Sequence, residues 1–167
     1  MDVVWQKVDH FAALQIVAWD YPAPYDVYSL NHSKVALKRL VQGPYFAAYM
    51  GYELIGFFCF GSAAQLNGKK DNDLYAPRHF LDIGLGMHPA WCGQGYGTAF
   101  IRKGLDFARE RGWSKGFRLT VASNNIRAHK VYTRLGFTEI GQIPWNSGSS
   151  SFFLVMTLDS SEPAVSV

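Results

Sequence analysis

The chain has 167 residues, 49% of them hydrophobic and 16% aromatic, a length that suits one domain burying about 70% of its unfolded surface around one core. Its net charge of +3, from 16 Lys and Arg scattered among 13 Asp and Glu, demands neither a nucleic acid nor a membrane as partner, and one anionic small molecule would satisfy it. Two cysteines, Cys59 and Cys92, with no leader-like start and no long apolar run, point to a reducing cytoplasm without a disulfide, and no Cys or His pairs stand at zinc-site spacing, so no metal is expected.

Val3 to Val8 reads as a first strand. Asp9 then caps a helix to about Trp19, with Phe11, Leu14, Ile16, Val17 and Ala18 mostly on one helical stripe. Two prolines and two tyrosines break order over Asp20 to Asp26, with Tyr28 just beyond. Ser33 starts a second helix to about Gln42, carried by Val35, Leu37, Leu40 and Val41 and ended by Gly43-Pro44. Tyr45 to Met50 and Leu54 to Ser62 form a hairpin around Gly51-Tyr52-Glu53. Ala63 to Arg78 is polar and reads as a surface loop.

Leu81 to Thr98, LDIGLGMHPAWCGQGYGT, organises the rest. An apolar strand stops at His88-Pro89, because proline brings no backbone donor. Gly93, Gly95 and Gly97 follow, and a helix opens near Gly95 or Tyr96. Alternate glycines let backbone N–H groups approach a ligand closely, and a helix N-terminus carries about half a positive charge, so the stretch is suited to a pyrophosphate. Two familiar glycine loops are excluded. A Walker loop needs lysine directly after its last glycine, where Thr98 stands. The dinucleotide fingerprint needs glycine at position 98 and an acid ending the next strand, which ends instead in Val121-Ala122-Ser123.

The helix continues to about Arg111, turning Gly97, Phe100, Ile101, Gly104, Leu105 and Ala108 inward, and Gly112 stops it. Phe117 to Ala122 is a strand parallel to the one before, since a helix joins them. Ser123, Asn124 and Asn125 offer caps for a helix closed by Gly136, and Phe137 to Ile143 and Phe152 to Leu158 are a last strand pair around Pro144 to Ser149. The domain is expected over 1–158, with a frayed polar tail at 159–167. This order implies an α/β chain with a mixed sheet of about seven strands and helices on both faces.

The glycine stretch resembles the acetyl-CoA loop of the GNAT superfamily of N-acyltransferases, [Q/R]-x-x-G-x-[G/A], with Gly95 and Gly97 in the small positions and Cys92 where the family usually has Gln or Arg. VASNNIRAHKVYTRLGF, Val121 to Phe137, is similar to the family's second signature, a strand end, N-x-x-A, a tyrosine and G-F. The resemblance implies a GNAT fold whose two central parallel strands splay around acetyl-CoA, and an N-acetyltransferase moving the acetyl group to a primary amine by direct transfer in a ternary complex. The alternative is a GNAT-fold domain that binds acyl-CoA as a structural or regulatory ligand without turnover. The resemblance implies cofactor contacts from Gly86, Met87, Gly93, Gln94, Gly95, Tyr96, Gly97, Thr98 and Asn125. It also makes Tyr132 the acid that protonates the departing thiolate, although the spacing of Ala128, Val131, Tyr132 and Leu135 equally describes a core stripe.

Asp82 alternates with Gly84, Gly86 and His88 on one strand face and is the first candidate for a general base, ahead of His88 and Glu53. Cys92, near a helix N-terminus, is a candidate nucleophile. The family's acceptor wall implies Tyr21, Tyr25 and Tyr28 on one side and Trp145 and Asn146 on the other; the same rings also read as ordinary loop packing. The acceptor, a small molecule or a peptide, stays open, and a homodimer is compatible with the sequence.

Overall fold

The computed structural model describes residues 1–114, 116–145 and 152–160. Its strands are β1 (Val4–Lys7), β2 (Tyr45–Met50), β3 (Glu53–Phe60), β4 (Phe80–Met87), β5 (Gly116–Ala122), β6 (Thr138–Pro144) and β7 (Phe152–Leu158). The helices are α1 (His10–Ala18), α2 (Lys34–Gln42), α3 (Gly97–Glu110) and α4 (Ile126–Arg134). The strands form one mixed sheet in the order β1-β2-β3-β4-β5-β7-β6, antiparallel throughout except for the parallel pair β4-β5.

Strand alternation divides the core into two layers. Ala47, Phe57 and Cys59 face α1 and α2, while Ala48, Phe58 and Phe60 face α3. Phe58 is fully buried, and Gly104 of α3 lies against it so closely that a Cβ on the glycine would overlap the Phe58 ring. The local end signals act as their chemistry requires. Asp9 and Ser33 accept the backbone N–H of Ala12 and Ala36 as helix caps, and Gly112 and Gly136 follow their helices with φ of 66° and 99°.

Three features depart from the sequence expectation. The apolar stripe of α1 is rotated: Ala12, Ala13, Ile16 and Val17 are buried, whereas Phe11 is 77% exposed and Leu14 is also exposed. Two alanines let the helix lie closer to the sheet than larger residues would. In α2, Ala36 and Leu40 are buried and Val35 is exposed. The segment 63–78 is no simple surface loop, because it holds two short 3-10 turns and a buried Tyr75 whose hydroxyl bonds that of Thr120 at 2.7 Å.

β4 and β5 pair only at Phe80–Asp82 with Gly116–Arg118. Beyond that point β4 stays with β3 up to Met87, β5 stays with β7 up to Ala122, and a gap opens between them. No helix among the described residues is long and apolar enough to cross a membrane.

Candidate active site

The gap is the middle of a cavity of about 790 Å³ that crosses the sheet. On the α3 and α4 side it is bounded by the glycine loop, Val131 and Tyr132; on the α1 and α2 side by Ile16, Trp19 and Phe57. The backbone of β4 supplies the polar groups between. His88 N–H donates to the Ile55 carbonyl, and in an antiparallel ladder the bonded pairs alternate. Gly86 therefore faces β3, and the N–H and C=O of Leu85 and Met87 turn into the gap. Both expected β4 contacts line the cavity: Met87 has its N–H available to a ligand, and Gly86 has turned its own N–H and C=O to the sheet. Gly86 serves packing, since a Cβ there would stand 2.6 Å from the Phe57 ring.

The loop after β4 is built to expose amides. His88 Nδ1 accepts from Ala90 N–H at 3.0 Å and so caps the turn Pro89–Trp91. Gly93 and Gly95 adopt φ of 69° and 85°, where a side chain would be strained. α3 then begins at Gly97, and Tyr96 offers no side-chain cap, so the first-turn amides lack partners within the helix. Gly93, Gly95, Gly97 and Thr98 all line the cavity. Gln94 and Tyr96 do not. Gln94 Nε2 turns back to the Ala90 carbonyl, and the Tyr96 ring packs on Trp91 at 4.8 Å.

Tyr132 is 9% exposed, packs edge-on against Phe137 and reaches the cavity. Burial, with the neighbouring Tyr28 a lesser cause, raises its phenol well above the ordinary range. Among the described residues nothing hydrogen-bonds its hydroxyl. Asn125 has two partners: its Oδ1 accepts from Ala128 N–H at 3.1 Å, capping α4, and its Nδ2 donates to the Tyr28 hydroxyl at 3.0 Å.

The tyrosines between α1 and α2 all line the cavity, and each also touches β4 or the start of α4. The Tyr21 hydroxyl donates to the Met87 carbonyl at 2.5 Å. The Arg127 guanidinium lies 4.1 Å from the centre of the Tyr25 ring, and Tyr28 holds Asn125. Trp145 packs edge-on against Phe153, which lines the cavity while Trp145 does not. Asn146 lies outside the described residues.

The candidate bases are otherwise engaged. Asp82 shares a strand face with Gly84 and Gly86, but it is 5% exposed and does not line the cavity. Its two oxygens accept Arg118 Nε and Nη2 at 2.7 Å each, and Gln65 Nε2 adds a third bond at 3.0 Å. Arg118, which sequence reasoning passed over as one alternating strand residue, also donates to the carbonyls of Leu74, Tyr75 and Pro77. Glu53 accepts Trp91 Nε1 at 2.8 Å at an exposed site. Cys92 lacks the features of an activated thiol. Burial pushes its thiol up, only partly offset by Arg127, and Sγ lies 3.7 and 3.6 Å from the Met87 and His88 carbonyls, the geometry of a protonated donor.

Arg127 is the cavity-lining cation that motif reading missed. A Cβ on Gly93 would stand 3.5 Å from its Nη1, so the guanidinium sits directly beside the glycine loop. Its placement in N-x-x-A, two residues after Asn125, was visible in the sequence; its reach across to Gly93 was not.

A separated central strand pair, a glycine loop feeding a helix and a tyrosine from the next helix thus meet in one cavity, and the sequence matches the acetyltransferase (GNAT) family over residues 11–137. The chain belongs to the GNAT family. It is therefore an N-acetyltransferase-family protein dependent on acetyl-CoA, and the splayed β4-β5 pair is that fold's expected feature. Solved GNAT structures share the fold at low identity. AAC(6')-Ib, in complex with ribostamycin and coenzyme A, superposes with a TM-score of 0.69 at 14% identity, covering 95% of this chain and 94% of that one. A spermidine N-acetyltransferase SpeG chimera from Vibrio cholerae and hSSAT gives 0.64 at 16% identity, with 95% of each chain covered. The structure of yncA from Salmonella typhimurium with its cofactor acetyl-CoA gives 0.59 at 19% identity, covering 98% and 96%. No curated protein matches the sequence significantly. Among the described residues of this GNAT protein, no group of three His, Cys, Asp or Glu is placed to hold a metal ion.

Proposed function

We propose that this protein transfers the acetyl group of acetyl-CoA to a primary amine by direct attack within a ternary complex. The observation that carries the proposal is the hydroxyl of the largely buried Tyr132, without a bonded partner among the described residues, in the same cavity as the glycine loop and the open backbone of β4. Acetyl-CoA supplies the acyl group as a thioester, and the chain's residues do the rest. The amides of Gly93, Gly95, Gly97 and Thr98 hold the pyrophosphate at the start of α3. The outward groups of Leu85 pair with the pantetheine arm, and the Met87 N–H polarises the acyl carbonyl, an effect of about 3 kcal/mol in comparable sites. As the amine nitrogen bonds to the carbonyl carbon and the carbon–sulfur bond breaks, Tyr132 protonates the departing sulfur. The nitrogen loses its proton to water, and solvent restores the phenol. Asp82 has no part in this scheme, since Arg118 and Gln65 occupy its carboxylate.

Arg127 supplies the side-chain charge that Cys92 cannot bring to the pyrophosphate. Arg127→Ala is expected to weaken CoA binding about tenfold or more, the loss of one charge-assisted bond, while Cys92→Ser leaves it within about twofold. Isothermal titration with CoA measures both, and equal effects would reject the assignment.

A thermal-shift titration tests the function. Acetyl-CoA and CoA at one hundred times their dissociation constant are expected to stabilise the protein by about 2.7 kcal/mol, and NAD and ATP to do nothing. Stabilisation without thiol release on any amine would support a binding module instead; no stabilisation would remove both readings.

A further inference from the structure

The charges around the cavity are not evenly spread. Among the described lining residues the charged ones are Arg127, Lys130 and Arg134, all on α4 at spacings of three and four, and no Asp or Glu is present. The opposite end, on the α1 and α2 face, is Ile16, Trp19, Leu30 and Phe57, with the Trp19 and Phe57 rings stacked at 6.0 Å. Of the polar groups on and around β4, His88 lies edge-on to Trp19 at 5.3 Å with Nδ1 accepting the Ala90 N–H, the Tyr21 hydroxyl bonds the Met87 carbonyl, Asp82 is held by Arg118, and Glu53 by Trp91. The segment after Trp145, residues 146–151, reads NSGSSS and contributes no acid by sequence.

From this segregation, and resting on the acetyltransferase function above, we propose that the acceptor is a monoamine carried on an apolar body, with no second cationic group. A polyamine or aminoglycoside brings several ammonium groups. Each would lose its hydration here without a carboxylate to compensate, and a buried unpaired charge is strongly disfavoured. A monoamine meets no such obstacle. Apolar walls lower the pKa of a bound ammonium and favour the neutral amine, which is the form that attacks. The acceptor end thereby does part of the work of a base, which fits a cavity whose carboxylates are all elsewhere. The cations of α4 belong with the phosphates of CoA, which keeps the two halves electrostatically distinct.

The test compares phenethylamine, phenylalanine and spermidine as acceptors, by thiol release with acetyl-CoA and by binding to CoA-saturated protein. Phenethylamine is expected to exceed spermidine in kcat/KM by about a hundredfold, and phenylalanine to fall between or below. Leu30→Glu, which adds a carboxylate at the half-buried rim, is expected to narrow the phenethylamine-to-spermidine gap about tenfold. Spermidine turnover equal to or above that of phenethylamine in the unmodified protein overturns the proposal, as does failure of phenethylamine to bind the CoA-saturated form. In either case stabilisation by acetyl-CoA together with thiol release on another amine shows that the acetyltransferase function stands without it; a protein that acetyl-CoA leaves unstabilised loses both.

Discussion

Replacing Tyr132 with Phe is expected to lower kcat by about a hundredfold to ten-thousandfold, the usual range for losing a positioned proton donor, with CoA affinity unchanged. The ring keeps its place against Phe137 and only the hydroxyl is removed, so stability should hardly move. The same residue sets the shape of the pH profile. Burial favours the neutral phenol and raises its pKa, so the acid form persists as pH climbs through the value of about 10 at which an exposed tyrosine would lose its proton. Turnover should therefore rise with pH as the amine is deprotonated and then level off, with no fall below about pH 10 caused by Tyr132. A rate for Tyr132→Phe within threefold of the parent would contradict the assignment, and an alkaline fall near pH 8 that the substitution abolishes would contradict the raised pKa. Steady-state kinetics across pH, with CoA titration of the variant, checks both parts.

Asp82→Ala is expected to destabilise the fold by about 3 to 5 kcal/mol, because it leaves the Arg118 guanidinium charged, buried and without its counter-ion. Arg118→Met in the same background should recover a large part of that loss, since removing both charges is far less costly than removing one. Chemical denaturation of the two single variants and the double variant measures the coupling. A base at position 82 makes the opposite forecast: kcat would collapse with the midpoint of unfolding unchanged, and Arg118→Met would bring no recovery. The pair thus separates a structural carboxylate from a catalytic one.

Much of this was legible in the sequence, for identifiable reasons. Punctuation by Asp9, Ser33, Gly112 and Gly136 set the helix ends, because capping and left-handed φ are local requirements. The parallel β4-β5 pair followed from the helix that joins them, and the glycine loop from its amide chemistry. What escaped was long-range. Strand alternation put Asp82 on the same face as Gly84 and Gly86, but could not show that Arg118, 36 positions away, would occupy it. Periodicity in α1 could not choose between Phe11 and Ala12 as the buried position, because the choice depends on how closely the helix approaches the sheet. The tyrosines after α1 were visible as a cluster, yet their partners Met87, Arg127 and Asn125 come from distant parts of the chain.

The Arg118 knot stands at the last paired position of β4 and β5, where Asp82 lies opposite Arg118 and the strands begin to part. All five of its N–H bonds have acceptors, two on Asp82 and three on the 63–78 segment. The fork between the strands is consequently rigid before any ligand arrives. A cofactor entering the gap finds its width already set, so little association free energy goes into prying strands apart or ordering loose backbone. Binding should then resemble a key entering a cut lock, with an association rate governed by diffusion and the electrostatic pull of α4 rather than by a slow opening of the protein.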